Sequence, residues 1–181
     1  MSTITAAAER RINIVQGERL VTDDPAVLLT TLLGSCVAAC LHDRVAGIGG
    51  INHFLLPGHG CDETGSLRHG VHAMELLVND LLHQGAKRNR IEAKLFGGAR
   101  MLRGLTDVGA ANAAFAEGFL AREGIRHAGG SLRGEQGRRV QFFPTTGRAR
   151  QAFMESASDA VFERERYVAH RPADYGTVEL F

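Results

Sequence analysis

Residues 30–57 read TTLLGSCVAACLHDRVAGIGGINHFLLP, and this stretch decides the fold. Residues 37–41 form a short apolar run that is typical of a buried β-strand. A second strand-like run covers residues 46–56, and the polar residues between the two runs predict a turn. The stretch therefore predicts a β-hairpin preceded by a Gly-Ser turn.

The register of this hairpin places two reactive side chains together. If the chain turns about Arg44-Val45, then Cys36 lies directly opposite His53, and opposed residues of an antiparallel pair have Cβ atoms roughly 4.5–5.5 Å apart. A slip of one residue would put the two side chains on opposite faces. A thiol beside an imidazole is the minimal nucleophile and base. The residues alone also allow a structural cysteine on a core strand, because buried cysteine is common.

Two sequence blocks carry a resemblance to a known family. Thr30 with Gly34-Ser35-Cys36, and Asn52-His53-Phe54 with Leu56-Pro57, resemble the signature of the CheD family, bacterial chemotaxis proteins that deamidate glutamines on chemoreceptors. The resemblance covers roughly residues 12–150 and continues in four further blocks at residues 85–88, 94–99, 137–140 and 144–147. The chain departs from the family pattern at residues 133–136, where Arg-Gly-Glu-Gln replaces an expected pair of glycines.

The resemblance implies three catalytic residues, Cys36, His53 and Thr30. Cys36 would attack the glutamine carboxamide, His53 would move the protons, and Thr30 would orient the imidazole. Without the resemblance, Thr30 reads as an ordinary β-branched strand residue. Backbone N–H groups at Gly34 and Ser35 are candidates to bind the oxyanion, and the reaction needs no cofactor.

The same resemblance implies the partners. The substrate would be the helical cytoplasmic region of a chemoreceptor, and a CheC-type phosphatase would be a second partner. A non-catalytic adaptor that binds receptors or CheC is the alternative function.

Composition excludes several other classes of protein. The net charge of +1 over 181 residues argues against nucleic-acid binding and against attraction to anionic membranes. Three cysteines, no secretory leader and no apolar run of about 18 residues indicate a cytoplasmic protein with reduced thiols and no membrane insertion. We expect one domain over residues 12–154, with loosely ordered polar termini at residues 1–11 and 155–181.

The remaining pattern predicts an α+β layered sandwich, in which helices pack on a mixed, largely antiparallel β-sheet. One helix is expected between a cap at Ser66 and a stop at Gly85, and a second from about Val108 to Arg122. The other predicted strands cover residues 12–16, 26–33, 91–96, 125–128, 139–143 and 148–154.

A cluster of metal-binding residue types gives the third alternative. His59, Cys61, His69 and His72 lie close in sequence, near Asp62, and such side chains can hold zinc. Their spacing matches no standard zinc pattern, so we predict no metal site. Cys40, four residues after Cys36, is expected in the core.

Overall fold

The computed structural model describes residues 9–56, 63–101 and 107–154. Within these ranges the chain forms nine strands and two α-helices, with a short 3-10 helix at Arg88–Arg90. The strands are β1 (Arg10–Asn13), β2 (Arg19–Thr22), β3 (Val27–Leu33), β4 (Val37–Asp43), β5 (Ile48–Phe54), β6 (Ile91–Gly97), β7 (Arg126–Leu132), β8 (Arg138–Phe143) and β9 (Arg148–Phe153). The helices are α1 (Glu63–His83) and α2 (Val108–Glu123).

The strands divide between two sheets. Sheet A has the order β1-β3-β8-β9, and sheet B has the order β2-β5-β4-β6-β7. The β1/β3 and β6/β7 pairs are parallel and the others are antiparallel. The predicted α+β class, with helices on a mixed and largely antiparallel sheet, is confirmed. The expectation of one sheet is wrong, because β3 pairs with β1 and β8 and does not continue the β4/β5 hairpin.

Sheet B is the middle layer of three. Strands β4 and β5 are buried at every position, as expected for strands covered on both faces. The face toward the helices packs residues such as Val37, Leu41 and Phe54 against α1 and α2. The inner face, with Ala38, Cys40 and Ile51, packs against Leu29, Val140 and Phe142 of sheet A. Two separate apolar cores result, and the candidate site lies in the one between the sheets.

Helix α2 begins and ends with ordinary caps. Asp107 precedes α2 and its carboxylate accepts a hydrogen bond from the Ala110 N–H at 2.9 Å. Gly124 ends α2 in the left-handed conformation. Helix α1 begins at Glu63, so Ser66 lies inside it and the predicted cap there is wrong. No helix in the described ranges is long and apolar enough to cross a membrane.

The N-terminal boundary differs from the prediction. Strand β1 begins at Arg10 and pairs with β3, so Arg10 and Arg11 belong to the ordered sheet and not to a loose terminus. The predicted strand at residues 12–16 accordingly starts earlier and ends at Asn13. Strand β2 was not predicted. Residues 1–8 and 155–181, and residues 57–62 with His59, Cys61 and Asp62, lie outside the described residues.

Candidate active site

The β4/β5 hairpin brings Cys36 and His53 to one face, although not directly opposite each other. His53 pairs with Ala38, and Val37 pairs with Phe54, so the register is two residues away from the predicted one. A shift of two residues keeps every side chain on its predicted face. Cys36 and Ala38 both point into the core between the sheets, and His53 therefore points there too. Cys36 is the diagonal neighbour of His53 across the hairpin.

The turn explains the shift in register. Asp43 accepts hydrogen bonds from the Val45 and Ala46 N–H groups at 3.0 and 3.1 Å, which fixes a longer turn than the predicted one. Burial would raise the pKa of Asp43, but hydrogen bonds from Arg90 and the backbone lower it to about 2. Arg90 contacts this carboxylate at 2.7 Å. The turn therefore closes around a carboxylate that stays ionised.

The hydrogen bonds of His53 determine which ring nitrogen carries the proton. Nδ1 lies 2.9 Å from Thr31 Oγ1, and Thr31 Oγ1 lies 2.7 Å from the Ile14 carbonyl oxygen. The carbonyl can only accept, so the Thr31 hydroxyl donates to Ile14. Thr31 has no second proton, and Nδ1–H must therefore donate to Thr31 Oγ1. Nε2 is left unprotonated, with a lone pair.

Burial keeps the His53 ring neutral. Its side chain is 7% exposed, and its Nε2 has no hydrogen-bond partner among the described residues. Burial lowers the pKa of His53 to about 4, although the Ile14 carbonyl and the Glu18 carboxylate favour the protonated ring. A neutral imidazole at pH 7, with an unpartnered Nε2 on the face that holds Cys36, is able to accept a proton.

Cys36 lies at the entry to β4 and is 1% exposed. The backbone carbonyl oxygens of residues 34–36 each accept a hydrogen bond, either from the segment after β6 or from α2. The Gly34 oxygen accepts from Ala99 N at 2.9 Å, the Ser35 oxygen from Asn112 Nδ2 at 3.0 Å, and the Cys36 oxygen from Gly98 N at 2.8 Å. The carbonyls of the turn are thus all engaged, which fixes the orientation of its peptide planes.

The segment after β6 can approach Cys36 only because it contains glycine. A Cβ at Gly97 would overlap the Cys36 carbonyl oxygen, and Gly97 has φ of 105°, which favours glycine. Gly97 therefore lets the end of β6 come close to the backbone of Cys36. Gly130 has a different role, because a Cβ at Gly130 would meet Leu95 in β6.

The structure places Thr30 away from His53. Strand β3 alternates, so Thr31 is fully buried between the sheets, whereas Thr30 is half-buried on the other face. The Thr30 hydroxyl lies 3.5 Å from the Ile12 carbonyl oxygen and from Asn13 Oδ1. The hydroxyl that contacts His53 belongs to Thr31. Adjacent threonines differ by one residue, and one residue reverses the face of a strand.

Sequence reasoning missed Asn112, which connects the two halves of the site. This side chain of α2 is fully buried. Its Oδ1 accepts from Leu56 N at 2.8 Å, and its Nδ2 donates to the Ser35 oxygen at 3.0 Å. It links the turn before Cys36 to the chain just after β5, which carries His53. The signal was a polar residue between two pairs of alanines in a helix that is otherwise largely apolar.

The other candidates do not join this cluster. Cys40 is fully buried and burial raises the pKa of its thiol, as expected for a core residue. Among the described residues, no three His, Cys, Asp or Glu side chains are grouped as metal ligands would be. His69 and His72 lie on α1, while His59, Cys61 and Asp62 are outside the described residues.

A buried thiol, a neutral imidazole and a hydroxyl that fixes the tautomer form the arrangement that activation of a cysteine nucleophile requires. The comparisons with known proteins agree with this class of site. The model of the family described as "CheD chemotactic sensory transduction" matches residues 55–152, more than half of the chain.

Curated relatives cover the whole chain, including the site before residue 55. A probable chemoreceptor glutamine deamidase CheD of Acidiphilium cryptum is 54% identical over 100% of both chains. Proteins of the same name from Sinorhizobium medicae and Rhizobium etli are 49% and 53% identical, over 98% and 94% of this chain and 99% and 92% of theirs. The chain belongs to the CheD family.

Proposed function

We propose that this protein deamidates glutamine side chains of chemoreceptors to glutamate, with Cys36 as the nucleophile and His53 as the general base. The names of the full-length relatives supply the substrate class. The observation that carries the mechanism is the tautomer of His53, whose free Nε2 lies on the face of Cys36.

The first half of the reaction transfers the acyl group to sulfur. His53 Nε2 takes the Cys36 thiol proton as Sγ adds to the carboxamide carbon of the substrate glutamine. The C=O electrons move to oxygen, which gives a tetrahedral oxyanion. The imidazolium then returns the proton to the amide nitrogen, the C–N bond breaks, and ammonia leaves a thioester on Cys36.

The second half uses the same groups in reverse. Neutral Nε2 removes a proton from water as the water adds to the thioester carbon. The C–S bond then breaks, the proton returns to sulfur, and the product carboxylic acid loses its proton to the released ammonia or to water, which gives a glutamate side chain. Atoms and protons balance, and no cofactor takes part.

The low pKa of His53 suits this sequence. A ring with a pKa of about 4 is neutral at pH 7, so the resting pair is a thiol and an imidazole and not a preformed ion pair. Such a ring becomes a strong acid once protonated, and a strong acid is what the departing ammonia needs. Thr31 and the Ile14 carbonyl hold Nδ1–H, and therefore keep Nε2 facing the reaction.

Backbone N–H groups of Gly34 and Ser35 are candidate oxyanion donors in this proposal. The held Gly34 carbonyl supports the assignment of Ser35, because the Gly34 C=O and the Ser35 N–H share one peptide plane. The proposal also includes a cytoplasmic location, where the receptor region is found, and a CheC-type phosphatase as a second partner.

Mass spectrometry of a receptor cytoplasmic fragment tests the function. We expect the parent protein to convert specific glutamines to glutamates, with a gain of about one mass unit each, and Cys36→Ser to convert none while it still binds the fragment. A Cys36→Ser protein that deamidates at the parent rate would overturn the mechanism. A parent protein that binds the fragment but converts nothing would favour the adaptor function.

A further inference from the structure

Gln16 contacts the proposed nucleophile directly. Cys36 Sγ lies 3.5 Å from Gln16 Oε1, and the thiol donates to this oxygen. The Gln16 side chain is half-buried, whereas Cys36 is 1% exposed. The carboxamide is therefore next to the reacting sulfur, on the partly solvent-accessible side from which a substrate can approach.

The loop that carries Gln16 is fixed to the backbone of His53. Gly17 N donates to the His53 oxygen at 2.8 Å, and His53 N donates to the Glu18 oxygen at 3.0 Å. The loop also closes on itself, since Glu18 N donates to the Val15 oxygen and Val15 N donates to Glu18 Oε2, both at 3.0 Å. The position of Gln16 relative to the imidazole is thus set by hydrogen bonds on both sides of residue 16.

The chemistry of a carboxamide changes the contact during the reaction. Gln16 Oε1 is a suitable acceptor only while sulfur carries its proton. When that proton moves to His53, sulfur becomes an acceptor and the contact becomes repulsive. The terminal torsion of glutamine is broad and roughly two-fold, so a half-turn presents the Nε2 donors in place of Oε1.

We propose that Gln16 is a catalytic residue, whose Nε2–H donates to the oxyanion that forms when Cys36 Sγ adds to the substrate carboxamide. This inference rests on the proposed function. The oxyanion is bonded to the carbon that sulfur attacks, so it forms within the reach of a group that already touches sulfur. A donor held in place before the reaction stabilises the developing charge without reorganisation.

Removal of one oxyanion donor costs about 10²–10³ in kcat in other enzymes. We expect Gln16→Ala and Gln16→Glu to lower the kcat for deamidation of a receptor fragment by about this factor, with KM changed only a few-fold. Gln16→Glu keeps the shape of the side chain and removes its N–H donors. It therefore tests the proposal even if the smaller alanine disturbs the loop. Val15→Ala is the matched control, because its side chain is 39% exposed on the same loop, and it should keep the parent rate.

Alkylation of Cys36 by iodoacetamide separates an oxyanion role from a structural one. Alkylation forms no oxyanion, so Gln16→Ala should react within a few-fold of the parent protein across pH 6–9. A parallel fall of alkylation and deamidation would overturn the inference, because it would mean that Gln16 only positions the thiol.

Two further outcomes would also overturn it. A Gln16→Ala protein at or above the parent kcat would show that the carboxamide merely covers the thiol, and a change confined to KM would show a binding role. The Cys36→Ser variant distinguishes this failure from failure of the proposed function. If Cys36→Ser is inactive and Gln16→Ala is fully active, only the role of Gln16 is wrong.

Discussion

Two cysteine–histidine pairs lie on the inner face of sheet B, and they differ in what surrounds them. Cys36 and His53 occupy the end of the β4/β5 hairpin far from its turn, while Cys40 and His42 lie near the turn. All four side chains are buried between the two sheets. Burial lowers the pKa of both imidazoles. Each ring has one nitrogen without a partner among the described residues, Nε2 of His53 and Nδ1 of His42.

The two cysteine–histidine pairs differ in their polar contacts. His53 has Thr31 and the Ile14 carbonyl on Nδ1, which fixes one tautomer. Cys36 lies just before β4 and touches the carboxamide of Gln16. Cys40 lies within β4, between Ile51 and Lys94, and burial raises the pKa of its thiol. The ring of His42 packs against Gly147, where a side chain would overlap it.

The comparison predicts that a buried thiol and an imidazole with one unpaired nitrogen are not enough for a reactive site. Both rings have a hydrogen-bond partner on one nitrogen, since a backbone hydrogen bond with Glu92 acts on His42. The expected difference is the approach for the substrate, because the 14–18 loop leaves Gln16 half-buried beside Cys36. Variants at both ends of the hairpin test this difference.

The largest effect is expected from the thiols. Cys36→Ala should lower deamidation by about 10³-fold or more, since the reacting atom is lost. Cys40→Ala should keep activity within a few-fold and should lower the free energy of unfolding by about 1 kcal/mol, because it removes only a small buried atom. Activity is measured by peptide mass and stability by urea denaturation. Equal loss of activity in both variants would contradict the assignment of Cys36.

The imidazoles give the next comparison. His53→Gln should reduce deamidation by about 10²–10⁴-fold, because no other group is placed to move the thiol proton. His42→Gln should leave the rate constant near that of the parent, whatever it does to stability. Rate constants at saturating receptor fragment decide between the two. A His42 variant as impaired as the His53 variant would mean that both ends of the hairpin matter for catalysis.

The dependence of stability on pH follows from the same histidines. Burial lowers the pKa of His53 to about 4 from an unfolded value of about 6.5, so between these pH values the unfolded chain binds more protons. The free energy of unfolding must therefore fall as the pH falls, by about 2 kcal/mol between pH 7 and pH 5 for this group. Urea denaturation at both pH values measures the change.

His42 adds to this loss in the same direction, although Glu92, Lys94 and Arg44 also act on its pKa. His53→Gln should remove the part of the fall in unfolding free energy that is due to His53. His42→Gln should leave that part unchanged. A stability that does not change between pH 7 and pH 5 in the parent protein would contradict the neutral, buried state of both rings.

The sequence predicted the parts of the site that depend on local pattern. The hairpin, the two helices and the shared face of Cys36 and His53 are confirmed, because alternation and helical period are local signals. The register was two residues off, since the side chain of Asp43 lengthens the turn. This error leaves Cys36 and His53 on one face, because a shift by an even number of residues keeps each side chain on its predicted face of the sheet.

The contacts between layers could not be predicted in the same way. Asn112 comes from α2 and Gln16 from a loop beside sheet B, and neither lies near Cys36 in sequence. Which of two adjacent threonines faces His53 depends on how sheet A packs on sheet B. The motif position alone gave Thr30, whereas burial of alternate residues along β3 selects Thr31.

The smallest effect in this series tests that choice of threonine. Thr31→Val keeps the size of the side chain but removes the hydroxyl that holds Nδ1. The Ile14 carbonyl oxygen remains 3.5 Å from Nδ1 and can still favour the same tautomer, so the loss should be partial, about 10-fold in kcat. Thr30→Val is the matched control, and it should keep the parent rate because its hydroxyl lies on the other face. Both variants are to be compared for kcat on the receptor fragment and for alkylation of Cys36. If Thr30→Val is the slower enzyme and Thr31→Val is unchanged, then the site works with the threonine that the family motif indicates, and the contact between Thr31 and His53 has no role in catalysis.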